Sequence, residues 1–253
     1  MIGAVDFSGR VVLVTGGTKG IGRVIVDRFV DAGARVVACG RNDPGDLTNA
    51  SFIACDVRDP EQVDAMVTRI ADEHGRLDVA VNNAGGSPSA EAATASPRFS
   101  EAIIRLNLLA PLHVAQAANR VMQDQDDGGS IVNIASVSGI RPSPTTAAYG
   151  AAKAGLLNLT QTLAVEWAPK VRVNAVTAGL IRTELAGMHY GDEAGIAAVA
   201  ATVPLGRMGD PTDVASACLF LASPLAAYIS GANIVVHGGG ERPAYLSAAN
   251  PTE

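Results

Sequence analysis

The chain has 253 residues, of which 48% are apolar and 17% are charged, so it can bury a substantial core and lacks the composition of a disordered protein. Its formal net charge of −6 provides no basic field, which argues against binding to nucleic acid or to an anionic membrane. Cys39, Cys55 and Cys218 are odd in number and far apart, which favours reduced thiols and a cytoplasmic protein. No apolar run approaches the roughly 18 residues of a membrane span, and we expect no signal peptide.

Short runs rich in Val and Ile alternate with segments of helical periodicity. The predicted strands are Val11–Thr15, Arg35–Cys39, Ser51–Cys55, Leu77–Val81, Ser130–Ala135, Val171–Ala175 and Ile234–Val236. Their almost continuous apolar character is typical of parallel strands that are covered on both faces. The repeated alternation of strand and helix predicts an α/β fold with a doubly wound sheet of about seven parallel strands and helices on both faces.

Helix start signals stand between several of these strands. Asp59-Pro60-Glu61 combines an N-cap, a first-turn proline and a first-turn acid, and apolar residues follow at helical spacing. Asp210-Pro211 repeats the same signal near the end of the chain. We therefore predict helices that begin at these two points.

The chain shows no Pro/Ser-rich linker and no shift of composition that would separate domains. We predict a single domain over residues 1–253. The segment 183–206 has a loop-like composition and is long enough to form a substrate lid. Residues from about 241 to 253 are predicted to form a tail that is either disordered or used in assembly.

A glycine-rich segment follows the first predicted strand, with the sequence Thr15-Gly16-Gly17-Thr18-Lys19-Gly20-Ile21-Gly22. Glycines at such a strand-to-helix turn let backbone N–H groups approach a pyrophosphate, which then lies at the helix N-terminus. The glycine spacing differs from the common GxGxxG pattern, and a plain tight turn is the alternative interpretation. Its position after the first strand favours a Rossmann-type, dinucleotide-binding fold.

The end of the second predicted strand bears on the choice of cofactor. An acid there would bind the ribose 2′-hydroxyl of NAD, whereas an Arg would bind the 2′-phosphate of NADP. Gly40 takes the acid's expected place, Arg41 follows it, and Lys19 adds a cation in the glycine segment. These features favour NADP. NAD stays open because Asp43 is a late acid, and the two cations are alternatively solvated surface charges.

Tyr149 is the one tyrosine of four that has a lysine, Lys153, four residues later. Positions i and i+4 share a helix face, so the ammonium is expected near the phenol. A nearby cation favours phenolate and lowers a tyrosine pKa from its usual value near 10. The pair therefore suits proton exchange with an alkoxide during carbonyl reduction, and a hydroxyl such as that of Ser136 would hold the substrate oxygen.

Four motifs occur in one order: the glycine segment from Thr15 to Gly22, Asn82-Asn-Ala-Gly85, Ile134-Ala-Ser136-Val-Ser-Gly139 and Tyr149-Gly-Ala-Ala-Lys153. Over about residues 8 to 240 the chain resembles the short-chain dehydrogenase/reductase family in its single-domain form. Within that family it is most similar to NADP-linked carbonyl reductases of the oxoacyl type.

The resemblance implies roles for individual residues. Tyr149 would be the proton donor or acceptor, and Lys153 would lower its pKa and bind the nicotinamide ribose. Ser136 would orient the substrate oxygen, and Asn107 would hold a water that links Lys153 to solvent. The implied cofactor-binding residues are Gly16, Thr18, Lys19, Gly20, Ile21, Gly22, Arg41, Asp56, Val57, Asn83, Ala84, Gly85, Tyr149, Lys153, Ile181 and Thr183. Of these, Asp56 and Val57 would read the adenine, and Ile181 and Thr183 would contact the carboxamide.

Three of these residues have plainer interpretations. Ser136 is alternatively a turn residue, with Ser138 as its rival for the catalytic position. Asn107 alternatively satisfies buried backbone groups. Asp56 alternatively caps a turn.

One position departs from the family pattern. Ala178-Gly179 replaces the usual Pro-Gly after the sixth strand, which frees a backbone N–H and puts the carboxamide contacts in doubt. In the lid, Met188, His189 and Tyr190 are the best candidates for substrate contact. The four histidines show no metal-ligand spacing, and we predict no metal site.

The sequence as a whole predicts an NADP-dependent oxidoreductase that interconverts a ketone or aldehyde with an alcohol. One alternative is an NAD-linked alcohol dehydrogenase on the same scaffold, and another is a non-catalytic, cofactor-sensing protein. The predicted partners are a small carbonyl or alcohol substrate and further copies of the chain. The helical segments 102–122 and 149–167 carry small residues on several faces and are expected to be buried, and burial against the sheet is one explanation. The family resemblance suggests instead that they pair with the same helices of a second subunit, within a homotetramer.

Overall fold

A computed structural model describes residues 5–248 of the chain. Its strands form one parallel sheet in the order β3-β2-β1-β4-β5-β6-β7. The strands are β1 Val11–Thr15, β2 Arg35–Gly40, β3 Ala50–Ala54, β4 Val79–Asn82, β5 Gly129–Ser136, β6 Val171–Ala178 and β7 Asn233–Val236. All seven predicted strands are confirmed. The largest difference is in β6, which continues to Ala178 instead of ending at Ala175.

The strand order reverses beside β1, which pairs with both β2 and β4. Val14 lies opposite Ala38 of β2 on one side and opposite Val81 of β4 on the other. The connections that leave β1 and β4 therefore diverge, and a crevice opens above the carboxyl ends of these strands. This is the predicted Rossmann-type α/β architecture.

Helices cover both faces of the sheet. They are α1 Gly20–Asp31, α2 Pro60–His74, α3 Pro97–Ile104, α4 Ala110–Asp124, α5 Ala147–Glu166, α6 Ala186–Tyr190, α7 Glu193–Thr202, α8 Pro211–Ala222 and α9 Ala244–Ala248. A π-helical turn, Arg105–Leu109, joins α3 to α4. Both predicted helix starts are confirmed, since Asp59 accepts hydrogen bonds from two N–H groups of α2 and Asp210 forms a capping box with Asp213 at α8.

Alternate residues of the central strands belong to two different cores. In β1, Val11 and Leu13 pack against α2 and α4, whereas Val12 and Val14 pack against α1 and α8. All four side chains are fully buried. Burying each contributes roughly 1.5–3 kcal/mol to folding. The need to fill both cores explains why the strand has no polar position except its last residue, Thr15.

The segment 183–206 is not the open loop that its composition suggested. It contains α6 and α7, and Asp192 caps α7 by accepting a hydrogen bond from the Gly195 N–H. Ala186 and Ile196 of these helices pack with Met208 in a small apolar cluster. Val199 and Ala200 pack against this cluster, which thereby anchors both helices to Met208.

The described part of the C-terminal tail is ordered against the rest of the fold. Glu241 forms an ion pair with Arg141, and the Arg242 N–H donates to the Thr202 carbonyl. The tail therefore ties the segment after β5 to α7. The predicted tail residues 249–253 lie outside the described residues. Over residues 5–248, no helix has the length and apolar character needed to cross a membrane.

Candidate active site

A crevice of about 770 Å³ runs across the carboxyl ends of the strands, from β2 and β3 at one end to β5 and β6 at the other. Its volume lies within the range of ligand pockets, roughly 300–1,000 Å³. All the predicted site residues except Asn107 line it: Gly16, Thr18, Lys19, Gly20, Ile21, Gly22, Arg41, Asp56, Val57, Asn83, Ala84, Gly85, Ser136, Tyr149, Lys153, Ile181 and Thr183.

The glycine segment makes a tight turn and also presents a helix N-terminus to the crevice. A Cβ on Gly22 would lie 2.2 Å from the Gly16 carbonyl oxygen, so only glycine allows α1 to begin this close to the turn. Gly16 and Gly20 have positive φ angles of 64° and 55°, which favour glycine. The N-cap residue, Lys19, makes no side-chain bond to the helix. The first N–H groups of α1 are therefore not satisfied by their own cap.

The turn after β4 is bonded to the glycine segment. The Asn83 amide donates to the carbonyls of Thr15 and Gly16, at 2.9 and 3.2 Å. The Thr15 hydroxyl in turn accepts from the N–H groups of Asn83 and Ala84, both at 3.0 Å. The side chain of Asn83 is thus used to hold two loops together, and Ala84 and Gly85 form the wall of the crevice.

Cationic side chains lie at the β2–β3 end of the crevice. Arg58 forms an ion pair with Asp56, and its hydrogen bond holds the pKa of that carboxyl at about 2, with a further contribution from the charge of Arg41. No carboxylate in the described part of the chain forms an ion pair with Arg41. The alternative acid, Asp43, accepts a hydrogen bond from Gly45 within its own turn.

Tyr149 and Lys153 lie together at the other end, as predicted. The Lys153 Nζ is 5.7 Å from the centroid of the Tyr149 ring, and it donates a hydrogen bond of 2.7 Å to the Ile134 carbonyl of β5. Ser136 ends β5 and interacts with the Tyr149 hydroxyl. Its Oγ also accepts from the Ser138 N–H at 3.2 Å, so Ser136 does form the turn, and its part in orienting a substrate stays a prediction. The rival hydroxyl, that of Ser138, bonds to Ser143 instead.

The pKa of Tyr149 differs from the sequence-based expectation. Burial raises it, and the interaction with Ser136 opposes this rise only in part. Lys153 is 3% exposed, and burial lowers its pKa to about 8. The expected lowering of the tyrosine pKa by the lysine is therefore wrong for this structure, because removal of the phenol from water is the largest influence and only the Ser136 hydrogen bond opposes it.

Asn107 does not reach the crevice. It is fully buried in the π-helical turn, where its amide exchanges two hydrogen bonds of 2.9 Å with the backbone of Gly86 and donates a third to Ile103. A Cβ on Gly85 would lie 2.7 Å from the Asn107 Oδ1 and 3.4 Å from the Lys153 Nζ. The side chain thus takes the plainer of its two predicted roles, and a part in proton relay stays a prediction.

The segment after β6 supplies residues that the sequence analysis missed. Glu184 and Leu185 line the crevice beside Ile181 and Thr183. An acid next to a predicted carboxamide contact was the only sequence signal for Glu184. Of the three candidates for substrate contact, His189 and Tyr190 line the crevice, whereas Met188 does not and is 81% exposed.

Ala178-Gly179, which replaces the Pro-Gly of the family pattern, leaves the sheet intact at the end of β6. Ala178 pairs with Ser136 of β5 and with Val236 of β7, and the Gly179 N–H donates to the Val236 carbonyl at 2.9 Å. A Cβ on Gly179 would lie 2.6 Å from the Cβ of His237, so the glycine is required by packing. Ile181 and Thr183 still reach the crevice without the proline.

The profile of a family described as enoyl-(acyl carrier protein) reductase matches residues 16–241. A 3alpha-hydroxysteroid dehydrogenase of Mediterraneibacter gnavus is 38% identical over 90% of this chain and 96% of the relative. The chain belongs to the short-chain dehydrogenase/reductase family.

Two further relatives of this dehydrogenase/reductase are named for other substrates. A 3-oxoacyl-[acyl-carrier-protein] reductase of Vibrio cholerae is 36% identical over 92% of the chain and 98% of the relative. The ligand-free structure of Thermoplasma acidophilum aldohexose dehydrogenase superposes with a TM-score of 0.89, at 36% identity and 99% coverage of both chains. This chain is accordingly an NAD(P)-dependent oxidoreductase that acts on alcohol or carbonyl groups.

The residues of the crevice fit a nicotinamide dinucleotide. A helix N-terminus and cations suit its phosphates, and the Tyr149–Ser136 pair suits a reacting carbonyl oxygen. Among residues 5–248, no group of three or more His, Cys, Asp or Glu side chains is arranged to hold a metal ion.

Burial of Lys153 predicts how stability depends on pH. The unfolded lysine titrates near 10.4 and the folded one at about 8, so the unfolded state binds more protons between these values. The free energy of unfolding should therefore rise through this range, by roughly 3 kcal/mol relative to Lys153→Met, which lacks the titrating group. Urea unfolding at a series of pH values measures the difference. Lys170→Met, at an exposed lysine, is the control, and parallel curves for wild type and Lys153→Met would contradict the prediction.

Proposed function

We propose that this short-chain dehydrogenase/reductase reduces a ketone or aldehyde with NADPH and, in reverse, oxidises the corresponding alcohol. The observation that carries the proposal is the position of the buried Tyr149–Lys153 pair beside Ser136, at one end of a crevice. The other end of the same crevice carries Arg41 and Lys19. One elongated ligand that joins an adenosine phosphate to a nicotinamide would use both ends.

Each catalytic side chain has a distinct task in the proposed reaction. A nicotinamide held in the crevice would supply the hydride for the carbonyl carbon, and negative charge would then develop on the carbonyl oxygen. The Ser136 hydroxyl donates a hydrogen bond to that oxygen, and the Tyr149 phenol transfers its proton to it. The proton ends on the alcohol product, and Tyr149 is left as phenolate. Lys153 stabilises this phenolate, which burial alone would disfavour.

The pKa directions fit a tyrosine that begins as an acid. Burial keeps the Tyr149 phenol protonated at neutral pH, so it is ready to donate. Lys153, with a pKa of about 8, is near the point where it exchanges protons with its surroundings. A relay from Lys153 past Asn107 would restore the proton on Tyr149, and this part of the proposal rests on the family resemblance.

The cofactor-binding residues are proposed from their place along the crevice. The N–H groups at Gly20 and Ile21 would bind the pyrophosphate at the start of α1. Asp56 and Val57 would contact the adenine, and the Asn83–Gly85 turn would line the cofactor beyond it. Ile181 and Thr183 would contact the carboxamide.

Preference for NADP rests on Arg41. Its guanidinium follows β2, lines the crevice and forms no ion pair with any described carboxylate, so it is available for a 2′-phosphate. Asp43, which would favour NAD, bonds to its own turn instead.

The substrate is proposed to be a secondary alcohol or the matching ketone. The relatives are named for hydroxysteroid, oxoacyl and threitol substrates, which differ in size and polarity but share this group. Leu185, His189 and Tyr190 would form the substrate end of the crevice beside Tyr149.

The three cysteines are buried and free, which supports a reducing, cytoplasmic location.

Replacement of Tyr149 tests the proposed acid. Tyr149→Phe should lower kcat/KM for carbonyl reduction by a factor of about 10³, because general acid catalysis contributes about 10²–10⁴. Binding of NADPH, measured by fluorescence, should persist. Tyr228→Phe, at a fully exposed tyrosine, is the matched control. Retained turnover in Tyr149→Phe would remove this residue from the mechanism.

Replacement of Arg41 tests the cofactor preference. Arg41→Ala should weaken NADPH binding by at least tenfold and leave NADH binding within about twofold, since a charge-assisted hydrogen bond to phosphate contributes roughly 1.5–3 kcal/mol. Calorimetric titration with each cofactor measures both constants. Arg35→Ala, at the exposed start of the same strand, is the control. An equal loss for both cofactors would show that Arg41 does not read the 2′-phosphate.

We also propose that the chain forms a homotetramer through α5. One face of this helix is exposed along its whole length. Its residues are all uncharged: Ala151, Ala154, Asn158, Gln161 and Val165. Val165 is 80% exposed, which is unusual for a large apolar side chain in a monomer.

Sedimentation tests this assembly. The wild type should sediment as a tetramer at micromolar concentration, and Val165→Glu should shift the distribution to smaller species. Leu225→Glu, at another exposed apolar residue, is the control and should leave the tetramer unchanged. A wild-type monomer would refute the proposal.

A further inference from the structure

The N-terminus of α1 is bonded to a carboxylate from a distant part of the chain. The Gly20 N–H donates a hydrogen bond of 2.9 Å to the Oε1 of Glu184. A Cβ on Gly20 would lie 3.8 and 3.9 Å from the two carboxylate oxygens, so the whole carboxylate lies beside this glycine. Glu184 also lines the crevice. An acidic side chain therefore holds a backbone donor that the proposed cofactor site needs.

Glu184 and a bound pyrophosphate would require the same group. The first N–H groups of a helix carry partial positive charge and attract anions, so a carboxylate there is stabilised. Dinucleotide phosphates use the same donors at a strand-to-helix glycine turn. Two anions at one N–H would repel each other and would leave one of them without its hydrogen bond. Binding of the pyrophosphate therefore requires that Glu184 move aside.

The local structure allows this movement by side-chain rotation. The backbone on either side of Glu184 is held, since the Arg182 N–H donates to the Gly209 carbonyl at 2.8 Å and the Leu185 N–H donates to the Thr183 hydroxyl at 3.3 Å. The Glu184 side chain itself is exposed and makes no other hydrogen bond among the described residues. It can turn into solvent without moving Thr183.

We propose that Glu184 is an internal ligand of the pyrophosphate-binding N–H groups, which the cofactor displaces, and that it thereby lowers cofactor affinity and speeds cofactor release. The inference rests on the proposed function, because it assumes that a dinucleotide binds at Gly20. Glu184 then determines how tightly the site binds its cofactor. In a reductase whose turnover is limited by release of the oxidised cofactor, it raises turnover.

The competing explanation is that the contact only ties α1 to the segment after β6. A structural tie predicts lower stability when Glu184 is replaced and no gain in cofactor binding. Internal competition predicts tighter binding. It also predicts that the gain shrinks as salt is added, because repulsion between exposed charges is screened within about 10 Å at 0.1 M ionic strength.

The test compares Glu184→Gln and Glu184→Ala with wild type. Calorimetric or fluorescence titration should show NADPH and NADP⁺ binding about two- to fivefold more tightly to both variants, which is the usual effect of one carboxylate at a helix N-terminus. Stopped-flow measurement should show slower release. Inorganic pyrophosphate, used as a probe of the N–H groups alone, should compete more strongly with NADPH in the variants. Glu193→Gln is the control, since Glu193 is an exposed acid of the same segment that pairs with Arg182.

Each outcome decides between the explanations. Unchanged or weaker binding in both variants, with the same urea unfolding as wild type, overturns the inference and leaves the proposed function standing. Lower stability without tighter binding overturns it in favour of a structural tie. A wild-type chain that binds neither dinucleotide overturns the proposed function, and the inference with it. An equal gain in Glu193→Gln would show a general charge effect and would also overturn the specific role of Glu184.

Discussion

The site depends on a buried ammonium held between a helix and a strand end. Lys153 donates to the Ile134 carbonyl, and this bond fixes the start of α5 against β5. The close approach requires glycine at position 139, where a Cβ would lie 2.8 Å from the Lys153 carbonyl carbon. An ammonium in this position destabilises the fold, since its pKa falls to about 8 on burial. A chain selected for stability alone would place an apolar side chain here, so the buried lysine agrees with the role proposed for it beside Tyr149.

A second contact fixes the same helix two turns farther along. The Thr160 hydroxyl accepts a hydrogen bond of 2.9 Å from the Asn133 amide, and Asn133 in turn accepts from Asn82 of β4 at 2.9 Å. All three side chains are buried. A buried donor that loses its acceptor is costly, so a shift of α5 along its axis would be opposed by loss of the Asn133–Thr160 bond. The neighbouring strands β4 and β5 thus determine where Lys153 lies, through contacts that never touch the reacting atoms.

The residue pattern was sufficient to predict the strands and the pairing of Tyr149 with Lys153 in α5. Both are local properties of the sequence: a strand buried on two faces is continuously apolar, and residues i and i+4 share one face of a helix. It was insufficient where long-range contacts decide. Asn107 and Gly86 are far apart in sequence, and their bonding removes the asparagine amide from the crevice. The raised pKa of Tyr149 depends on how much water the fold excludes, which spacing does not report. The helices α6 and α7 depend on one small apolar cluster, too weak a signal to distinguish them from a loop.

The donors along the crevice differ in whether the chain itself supplies an anion to them. Arg58 has Asp56 and the Gly20 N–H has Glu184, whereas Arg41 forms no ion pair in the described residues. An internal anion lowers the affinity of its donor for an external one by the strength of the contact that must be broken. Under the proposed function, a 2′-phosphate at Arg41 would meet no such ion pair, but a pyrophosphate at Gly20 would have to displace Glu184. Discrimination between the two cofactors and ease of cofactor release would then be controlled at different donors, so a change at one need not weaken the other.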